Sequence, residues 1–185
     1  MNFLPTPLAG SYIIEIEPIA DERGFFSRLW CRQEFQAVGL NMDFEQHSIS
    51  YNWKRGTLRG MHYQIAPHEE VKLVRCSRGA IWDVILDLRP NSRTFCRWFA
   101  EELTADNHKT LYVPAGFAHG FQTLTDDAEV LYQITEPYHP ESARGVRWDD
   151  AAFGIKWPLP NPILSVRDRQ FLDFRAGEEV RPANQ

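Results

Sequence analysis

The feature that most constrains the fold of this chain is the short and regular spacing of its turn signals. Segments rich in β-branched, aromatic and aliphatic residues are separated by clusters of Gly, Pro, Asn, Asp and Ser about every eight to twelve residues. This rhythm is typical of β-sandwiches and jelly rolls. The sequence therefore predicts an all-β (mainly β) fold.

The predicted strands fill most of the first 135 residues. Two of the predicted strands, Leu58–Gln64 and residues 80–88, carry charged or histidine side chains among apolar ones. The best helix signal covers residues 32–39 and ends at Gly39. The other predicted strands cover residues 11–18, 44–50, 71–76, 97–103, 110–113, 120–124 and 129–135.

The chain changes character after Tyr138, where prolines and tryptophans become frequent. This composition is too aromatic for disorder and predicts an ordered, irregular segment with short helical turns, wrapped on a barrel. No internal repeat or linker interrupts the sequence. A chain of 185 residues is most simply one domain, and we expect it to cover residues 1–185.

Charge and composition exclude several classes of partner. Acidic residues outnumber basic ones, 25 to 20, so nucleic acid is not expected to bind, because its phosphates require a basic face. No apolar run approaches the roughly 20 residues of a membrane-spanning helix, and the first residues lack the pattern of a signal peptide. Three cysteines without C-x-x-C spacing predict neither a disulfide framework nor a zinc ribbon. We therefore expect a reducing, cytoplasmic setting.

The first candidate for chemistry is His62, in the run Gly-Thr-Leu-Arg-Gly-Met-His-Tyr-Gln at residues 56–64. A lone histidine in a strand is usually a structural one. However, Arg59 lies on the same strand and Lys72 interrupts the next apolar strand, where a lysine almost never goes fully inside unpaired. The two cations favour a wet, anion-binding interior.

His119 lies in a Pro-x-Gly-x-x-His pattern that resembles the second half of the cupin signature, where the histidine starts a strand after a tight turn. In metal-binding cupins this histidine joins two others and a glutamate. The first half of the signature, His-x-His, reads His-Tyr-Gln here and lacks its second ligand. A metal site formed by His62, His119 and Glu69 or Glu70 remains an alternative.

Asp83 and Asp87 lie four residues apart in an otherwise apolar strand, so both point to one face. Their ordinary interpretation is an exposed face of the barrel, or pairing with Arg75 and Arg89.

Two further residues have ordinary interpretations beside functional ones. Tyr132 shares a strand face with Val130 and Ile134. Its ordinary interpretation is a core aromatic, and its functional interpretation is a proton donor that faces a pocket. Asp168 alone would be a surface turn residue, although a catalytic imidazole needs an aspartate that sequence spacing cannot identify.

Taken together, these stretches resemble the dTDP-4-dehydrorhamnose 3,5-epimerase family, the RmlC-like cupins. The matching segments keep their order and spacing over most of the chain: Arg-Gly-Phe-Phe at 23–26, residues 56–64, Lys-Leu-Val-Arg at 72–75, residues 83–89, residues 114–121, Tyr132, Tyr138, Trp148 and Leu-Ser-x-x-Asp at 164–168.

The resemblance implies a cupin-type double-stranded β-helix, or jelly-roll barrel, with short flanking helices. It also implies a homodimer without metal or cofactor, acting on a nucleotide-diphospho-4-keto-6-deoxy sugar. The reaction would invert C3 and C5 by deprotonation to an enolate and reprotonation from the opposite face.

The resemblance further implies a role for each matching residue. His62 would be the base, Asp168 its partner, Tyr132 the acid on the opposite face, and Lys72 the cation that faces the enolate oxygen. Residues implied to contact the substrate are Arg23, Phe26, Gln46, Arg59, His119 and Tyr138.

The chemistry of the reaction supports these residue types. A ketone at C4 acidifies the hydrogens at C3 and C5, so epimerisation needs a base, an acid and a cation at the oxygen. Histidine suits the base because its pKa lies near working pH, and a buried carboxylate fixes its tautomer. Arginine suits a diphosphate through its forked donors.

Departures from the family pattern leave the substrate open. Arg28 and Ala143 stand where the family carries glutamates, and Gln-His-Ser-Ile-Ser at residues 46–50 replaces a segment with Gln-Asp-Asn. Epimerisation at C3 or C5 alone, or of a CDP-, GDP- or other dTDP-linked 4-keto sugar, is therefore an alternative. Less favoured are a metal-dependent cupin oxygenase or isomerase, and a binder of sugar nucleotides without catalytic activity.

Overall fold

The computed structural model describes residues 1–40 and 42–175, which form mostly antiparallel strands and two short helices. None of the helices in this part of the chain is long and apolar enough to cross a membrane. The elements are β1 (Asn2–Pro5), β2 (Tyr12–Glu15), β3 (Ile19–Asp21), β4 (Gly24–Phe26), α1 (Arg32–Ala37), β5 (Gln46–Asn52), β6 (Leu58–Gln64), β7 (Lys72–Arg78), β8 (Ala80–Asp87), β9 (Trp98–Thr104), β10 (Thr110–Val113), β11 (Phe117–Thr123), β12 (Ala128–Ile134), β13 (Ala143–Gly145) and α2 (Val166–Arg169).

The strands form two larger sheets that share one core. One sheet has the order β1-β2-β10-β7-β12-β5 and the other β13-β6-β11-β8-β9, while β3 and β4 form a separate hairpin. Inward-facing side chains of both sheets, among them Val74, Ile85 and Phe121, pack into one buried cluster. This arrangement confirms the predicted mainly-β jelly roll, since alternate residues of each strand supply the core.

The outer faces of the two sheets are covered by different segments. Phe35 of α1 packs with Leu73 and Tyr112 on the six-stranded sheet. Val146, Phe153 and other residues after β13 pack on the outer face of the five-stranded sheet. Residues 176–185 of the predicted wrapping segment lie outside the described residues, and the extent of the domain stays a prediction.

Several local expectations were wrong. The strand β11 begins at Phe117, so His119 is its third residue and not its first. Four strands of three or four residues, β1, β3, β4 and β13, were not predicted, because they are too short to show an alternating pattern. Only pairing defines them: β1 with β2, β3 with β4, and β13 with β6.

Asp83 and Asp87 do not lie on an exposed face, and both are fully buried. They share the inner side of β8 with Ile81 and Ile85, which belong to the core between the sheets. Asp87 bonds to Arg89 as expected, with Nη2 at 2.8 Å from Oδ2.

Two glycines bring β6 and β11 unusually close together. A Cβ built on Gly60, whose φ is +141°, would lie 2.6 Å from the Cα of Gly120. The pairing of the two strands shifts register between His119 and Phe121, and on one side of this irregularity His62 lies directly opposite His119. The close approach therefore sets two of the predicted site histidines side by side.

Candidate active site

A cavity of about 390 Å³ opens between the two sheets and is lined by residues of β5, β6, β7, β11, β12 and α2. It brings together seven of the ten predicted site residues, which come from segments far apart in the sequence: Gln46, Arg59, His62, Lys72, His119, Tyr132 and Asp168.

His62 and Asp168 form a hydrogen-bonded pair, with Nε2 of the imidazole 2.6 Å from Oδ1 of the carboxylate. Asp168 is not the surface turn residue that its sequence suggested, because it is 3% exposed in the first turn of α2. Its own N–H donates to Oγ of Ser165, which caps the helix at 3.0 Å. This short helix thus fixes the carboxylate against β6.

The surroundings of Asp168 keep it charged. Burial alone would raise the pKa of this carboxyl group, but the hydrogen bond and the charge of His62, with help from the backbone of Gly60 and the hydroxyl of Ser165, hold the pKa below its ordinary value. A carboxylate that accepts the Nε2 proton leaves Nδ1 of the imidazole free to take a proton. His62 can therefore act as a base.

A second pair, His119 and Asp83, lies deeper. Nε2 of His119 is 2.8 Å from Oδ1 of Asp83, and both side chains are buried. Burial raises the pKa of Asp83 against the opposing influence of His119 and Lys72. The side-chain hydrogen bond of Asp83 is thus made to His119 and not to Arg75. Its only sequence signal was an aspartate in an apolar strand, and nothing local could identify a partner 36 residues away.

Tyr132 lies on the opposite sheet from His62, in β12. Its ring meets that of His119 edge to face, with centroids 5.8 Å apart. Desolvation is the main cause that raises the pKa of the Tyr132 phenol well above its ordinary value, and the nearby charge of Asp83 raises it further. The phenol is therefore neutral near pH 7 and carries a proton on its side of the cavity.

Cationic side chains give the cavity an anion-binding character. Lys72 faces the cavity, and its Nζ lies 2.7 Å from a carboxylate oxygen of Glu70. Nε of Arg59 donates to Oδ1 of Asn52 at 2.7 Å, which holds its guanidinium in place. Arg167 of α2 also lines the cavity.

Sequence reasoning missed the roles of Glu70, Asn52 and Arg167. Only the charge of Arg167, one residue before Asp168 in a matching segment, offered a signal. Glu70 pairs with Lys72, two residues further along the chain, and Asn52 bonds to Arg59, which belongs to the other sheet. Neither pairing has a signal in the sequence pattern.

Three predicted substrate-binding residues do not line this cavity within one chain. Arg23 and Phe26 belong to the β3–β4 hairpin region, where the Arg23 side chain is 82% exposed and pairs with Asp21. Tyr138 lies in the loop after β12, and its hydroxyl is 3.4 Å from Nη1 of Arg167. Tyr138 is therefore at the rim of the cavity.

The alternative metal site does not assemble. Among residues 1–40 and 42–175, no group of converging ligands combines His62 and His119 with Glu69 or Glu70. Each of the two histidines instead bonds to an aspartate.

Comparisons with known proteins agree with this geometry. A family model described as dTDP-4-dehydrorhamnose 3,5-epimerase matches residues 5–176. A protein of that name from Shigella flexneri is 41% identical over 177 residues, which cover 94% of this chain and 97% of the relative.

Solved structures are similar over almost the whole chain. The crystal structure of dTDP-4-dehydrorhamnose 3,5-epimerase from Bacillus anthracis, with TDP and PPi bound, superposes with a TM-score of 0.90 at 39% identity and covers 94% of this chain and 99% of that one. A 3′-monoepimerase from Streptomyces bikiniensis, in complex with dTDP-quinovose, gives a TM-score of 0.83 at 34% identity and covers 90% and 84% of the two chains. These similarities confirm the cupin-type fold.

Proposed function

The chain belongs to the dTDP-4-dehydrorhamnose 3,5-epimerase family, and we propose that it inverts C3 and C5 of a nucleotide-diphospho-4-keto-6-deoxy sugar. One observation carries the proposal. The His62–Asp168 pair and the protonated phenol of Tyr132 project into one cavity from different sheets, which is the arrangement that inversion of a carbon centre requires.

The first step is removal of the proton next to the ketone. Nδ1 of His62 accepts the proton. The C–H electron pair forms a double bond to C4, and the π electrons of the C4 carbonyl move onto its oxygen to give an enolate. The imidazolium that results is stabilised by the carboxylate of Asp168 at 2.6 Å. Lys72 is placed to stabilise the negative charge that develops on the C4 oxygen, because its ammonium group faces the cavity.

The second step returns a proton to the opposite face of the same carbon. Tyr132 donates it, the enolate collapses to the ketone and the configuration is inverted. The oxidation state of the sugar does not change, so this chemistry requires no redox cofactor. Before the second inversion, His62 must release its proton to solvent and Tyr132 must regain one from solvent. Repetition at the second carbon then completes a 3,5-epimerisation.

The diphosphate of the substrate is bound by the cations of the cavity. Arg59 and Arg167 offer forked donors to phosphate oxygens, and Gln46 and His119 offer polar contacts to the sugar. Tyr138 at the rim is placed to stack against the sugar or the base, next to Arg167.

The proposal is tested by incubating the protein with dTDP-, CDP- and GDP-linked 4-keto-6-deoxyglucose and following the ring protons by NMR. Inversion at both carbons of the dTDP sugar supports a 3,5-epimerase. Inversion of only a CDP or GDP sugar moves the assignment to that nucleotide, and no inversion of any of the three overturns the proposal.

A second candidate is inversion at a single carbon. It is favoured by the similarity to the Streptomyces bikiniensis 3′-monoepimerase, which is 34% identical to this chain. The same NMR spectra, recorded in deuterium oxide, separate the two candidates, because a mono-epimerase replaces the proton at C3 or at C5 by deuterium but not at both.

The protein is further proposed to be a homodimer in which Arg23 and Phe26 contact the substrate of the partner protomer. Phe26 is 67% exposed, and Phe25 and Ile19 of the same hairpin are 52% and 72% exposed. An exposed apolar patch of this kind is typical of an interface. Within one chain these residues do not line the cavity.

Mixing two inactive variants tests this arrangement. If Arg23 acts across the interface, a mixture of His62→Ala and Arg23→Ala protomers forms mixed dimers that contain one intact site. Random pairing then restores about one quarter of the wild-type sites. No recovery from the mixture, in dimers shown to exchange protomers, would contradict the assignment.

A further inference from the structure

A cluster of titratable side chains joins two loops outside the catalytic cavity. His68 lies in the loop between β6 and β7, and Glu136 and His139 lie in the loop after β12. Oε1 of Glu136 is 2.9 Å from Nδ1 of His68 and 3.3 Å from Nε2 of His139. One ligand atom from each residue lies within 4.8 Å of the other two, as metal-binding groups do.

The backbone of this cluster is held in place by the buried amide of Gln64. Nε2 of Gln64 donates to the carbonyl oxygens of His68 and Pro137 at 3.0 and 3.1 Å. Its Oε1 accepts the N–H of His139 at 2.6 Å. A single side chain of β6 thus ties both loops together and brings the three polar groups to one point before any ion arrives.

His139 carries the further hydrogen bond that metal-binding histidines usually make. Its Nδ1 lies 3.2 Å from a carboxylate oxygen of Glu141. A proton on Nδ1 that is donated to Glu141 leaves the lone pair of Nε2 pointing towards Glu136. Such a carboxylate partner fixes the tautomer and orientation of a ligating imidazole.

The cluster is accessible to an ion from solvent. The side chains of His68, Glu136 and His139 are 28%, 28% and 29% exposed. The two imidazole rings lie parallel, with centroids 3.5 Å apart and planes inclined by 10°. One nitrogen of each ring lies within hydrogen-bond distance of the same carboxylate oxygen of Glu136. Because the lone pairs of parallel imidazoles point in parallel directions, one ring has to rotate out of the stack before both nitrogens can ligate a single ion.

We propose that His68, Glu136 and His139 bind one divalent transition-metal ion of the zinc class, with water as the remaining ligand. Two imidazoles and one carboxylate are a ligand set that suits Zn²⁺, whereas Mg²⁺ and Ca²⁺ prefer oxygen ligands alone. The ion would link the loop before Lys72 to the loop that carries Tyr138 at the cavity rim. The site is separate from the residues that transfer protons.

Isothermal titration of the full-length protein with Zn²⁺, after chelator treatment and dialysis, tests the site. We expect one equivalent of Zn²⁺ to bind and no comparable binding of Mg²⁺. His139→Gln and Glu136→Gln should lose this binding, and Glu141→Gln should weaken it about tenfold or more. Circular dichroism of each variant shows whether it is folded.

His108→Asn is the matched control. His108 lies in a turn with φ of 53°, a conformation that asparagine tolerates, and it is no part of the cluster. Its zinc binding should equal that of the wild type. The proposal is overturned if the wild type binds no Zn²⁺, or if folded His139→Gln and Glu136→Gln proteins bind it unchanged. The readout is binding and not turnover, so it is independent of the proposed epimerase activity.

Discussion

Asp168 determines what the imidazole of His62 can do. The carboxylate is buried, its pKa lies below the ordinary value, and it is bonded to Nε2 of His62 at 2.6 Å. In the proposed mechanism it would hold one tautomer of the base and stabilise the cation that forms after proton transfer.

Replacement of Asp168 by asparagine should lower kcat by about 10²- to 10⁴-fold, because the amide keeps the size of the side chain but loses its charge. Steady-state kinetics with the 4-keto sugar nucleotide measures the effect. If Asp168 acts only through His62, the double variant with His62→Asn should be no slower than His62→Asn alone. A kcat equal to that of the wild type would remove Asp168 from the mechanism.

Tyr132→Phe should separate exchange from inversion. The base is intact in this variant, so solvent deuterium should still enter the substrate, while loss of the acid should lower the rate of inversion by about 10²-fold or more. Tyr112→Phe is the control, because Tyr112 is a buried tyrosine whose ring packs on the outer side of the same sheet. Equal losses in the two variants would contradict a specific role of Tyr132.

Residue identities in the site were predictable to different degrees. His62, Tyr132, Lys72 and Asp168 could be proposed because they stand in segments that match a family. The hydrogen bond between Asp83 and His119 could not be predicted, because it depends on the pairing of β8 with β11 and on which face of β8 is buried.

At the level of elements, the site depends on the contact between β6 and β11. Gly60→Ala should destabilise the protein by about 1 to 3 kcal/mol more than Gly24→Ala, measured by urea unfolding. Both glycines have a similar φ, +141° and +132°, but only the Cβ at position 60 would meet backbone, 2.6 Å from the Cα of Gly120. Gly24 therefore controls for the conformational part of the effect.

The unfolding experiment has a clear opposite outcome. Equal free energies of unfolding for Gly60→Ala and Gly24→Ala would mean that the two strands can separate without cost. The close approach would then not be what sets His62 opposite His119.

The lengths of the elements explain which of them could be predicted. Strands of seven or eight residues, such as β6 and β8, show alternation in the sequence. Helix α2, with four residues, shows no periodicity, and its position depends on the Ser165 cap and on the His62–Asp168 bond. The element that positions the carboxylate of Asp168 is therefore among those that sequence patterns define least.

At the level of the whole molecule, acid stability should depend on Asp87. Burial alone would raise the pKa of Asp87. The hydrogen bonds from Arg89, Ser92 and Thr94 outweigh the effect of burial and lower this pKa from 3.8 to about 2. A depressed pKa stabilises the fold above the unfolded value near 3.8, and this stabilisation is lost as the pH falls through about 2.

Asp87→Asn should therefore reduce the free energy of unfolding by about 2 kcal/mol at neutral pH, with a smaller difference from the wild type as the pH falls from 4 to 2. Denaturant unfolding over this pH range measures the difference. Asp106→Asn, at an exposed turn position, should follow the wild-type curve. A constant difference at all pH values would mean that the charge of Asp87 is not the source of its effect.

The jelly roll as a whole was predictable from the spacing of turns, but the relative placement of its two sheets was not. His62 and Tyr132 are 70 positions apart in the numbering and lie in different sheets. Only the closure of the barrel brings them to one cavity. The substrate-binding roles of Arg23 and Phe26 remain predictions that a second protomer would have to satisfy.

Solvent deuterium incorporation into dTDP-4-keto-6-deoxyglucose, followed by NMR or mass spectrometry, tests the central claim most directly. The wild-type protein should introduce deuterium at both C3 and C5, and His62→Ala should introduce none at a comparable rate. Deuterium at only one carbon would identify a mono-epimerase. Undiminished incorporation of deuterium by His62→Ala would contradict the assignment of His62 as the base. No incorporation by the wild type would contradict the claim that the protein exchanges protons at C3 and C5 of this substrate.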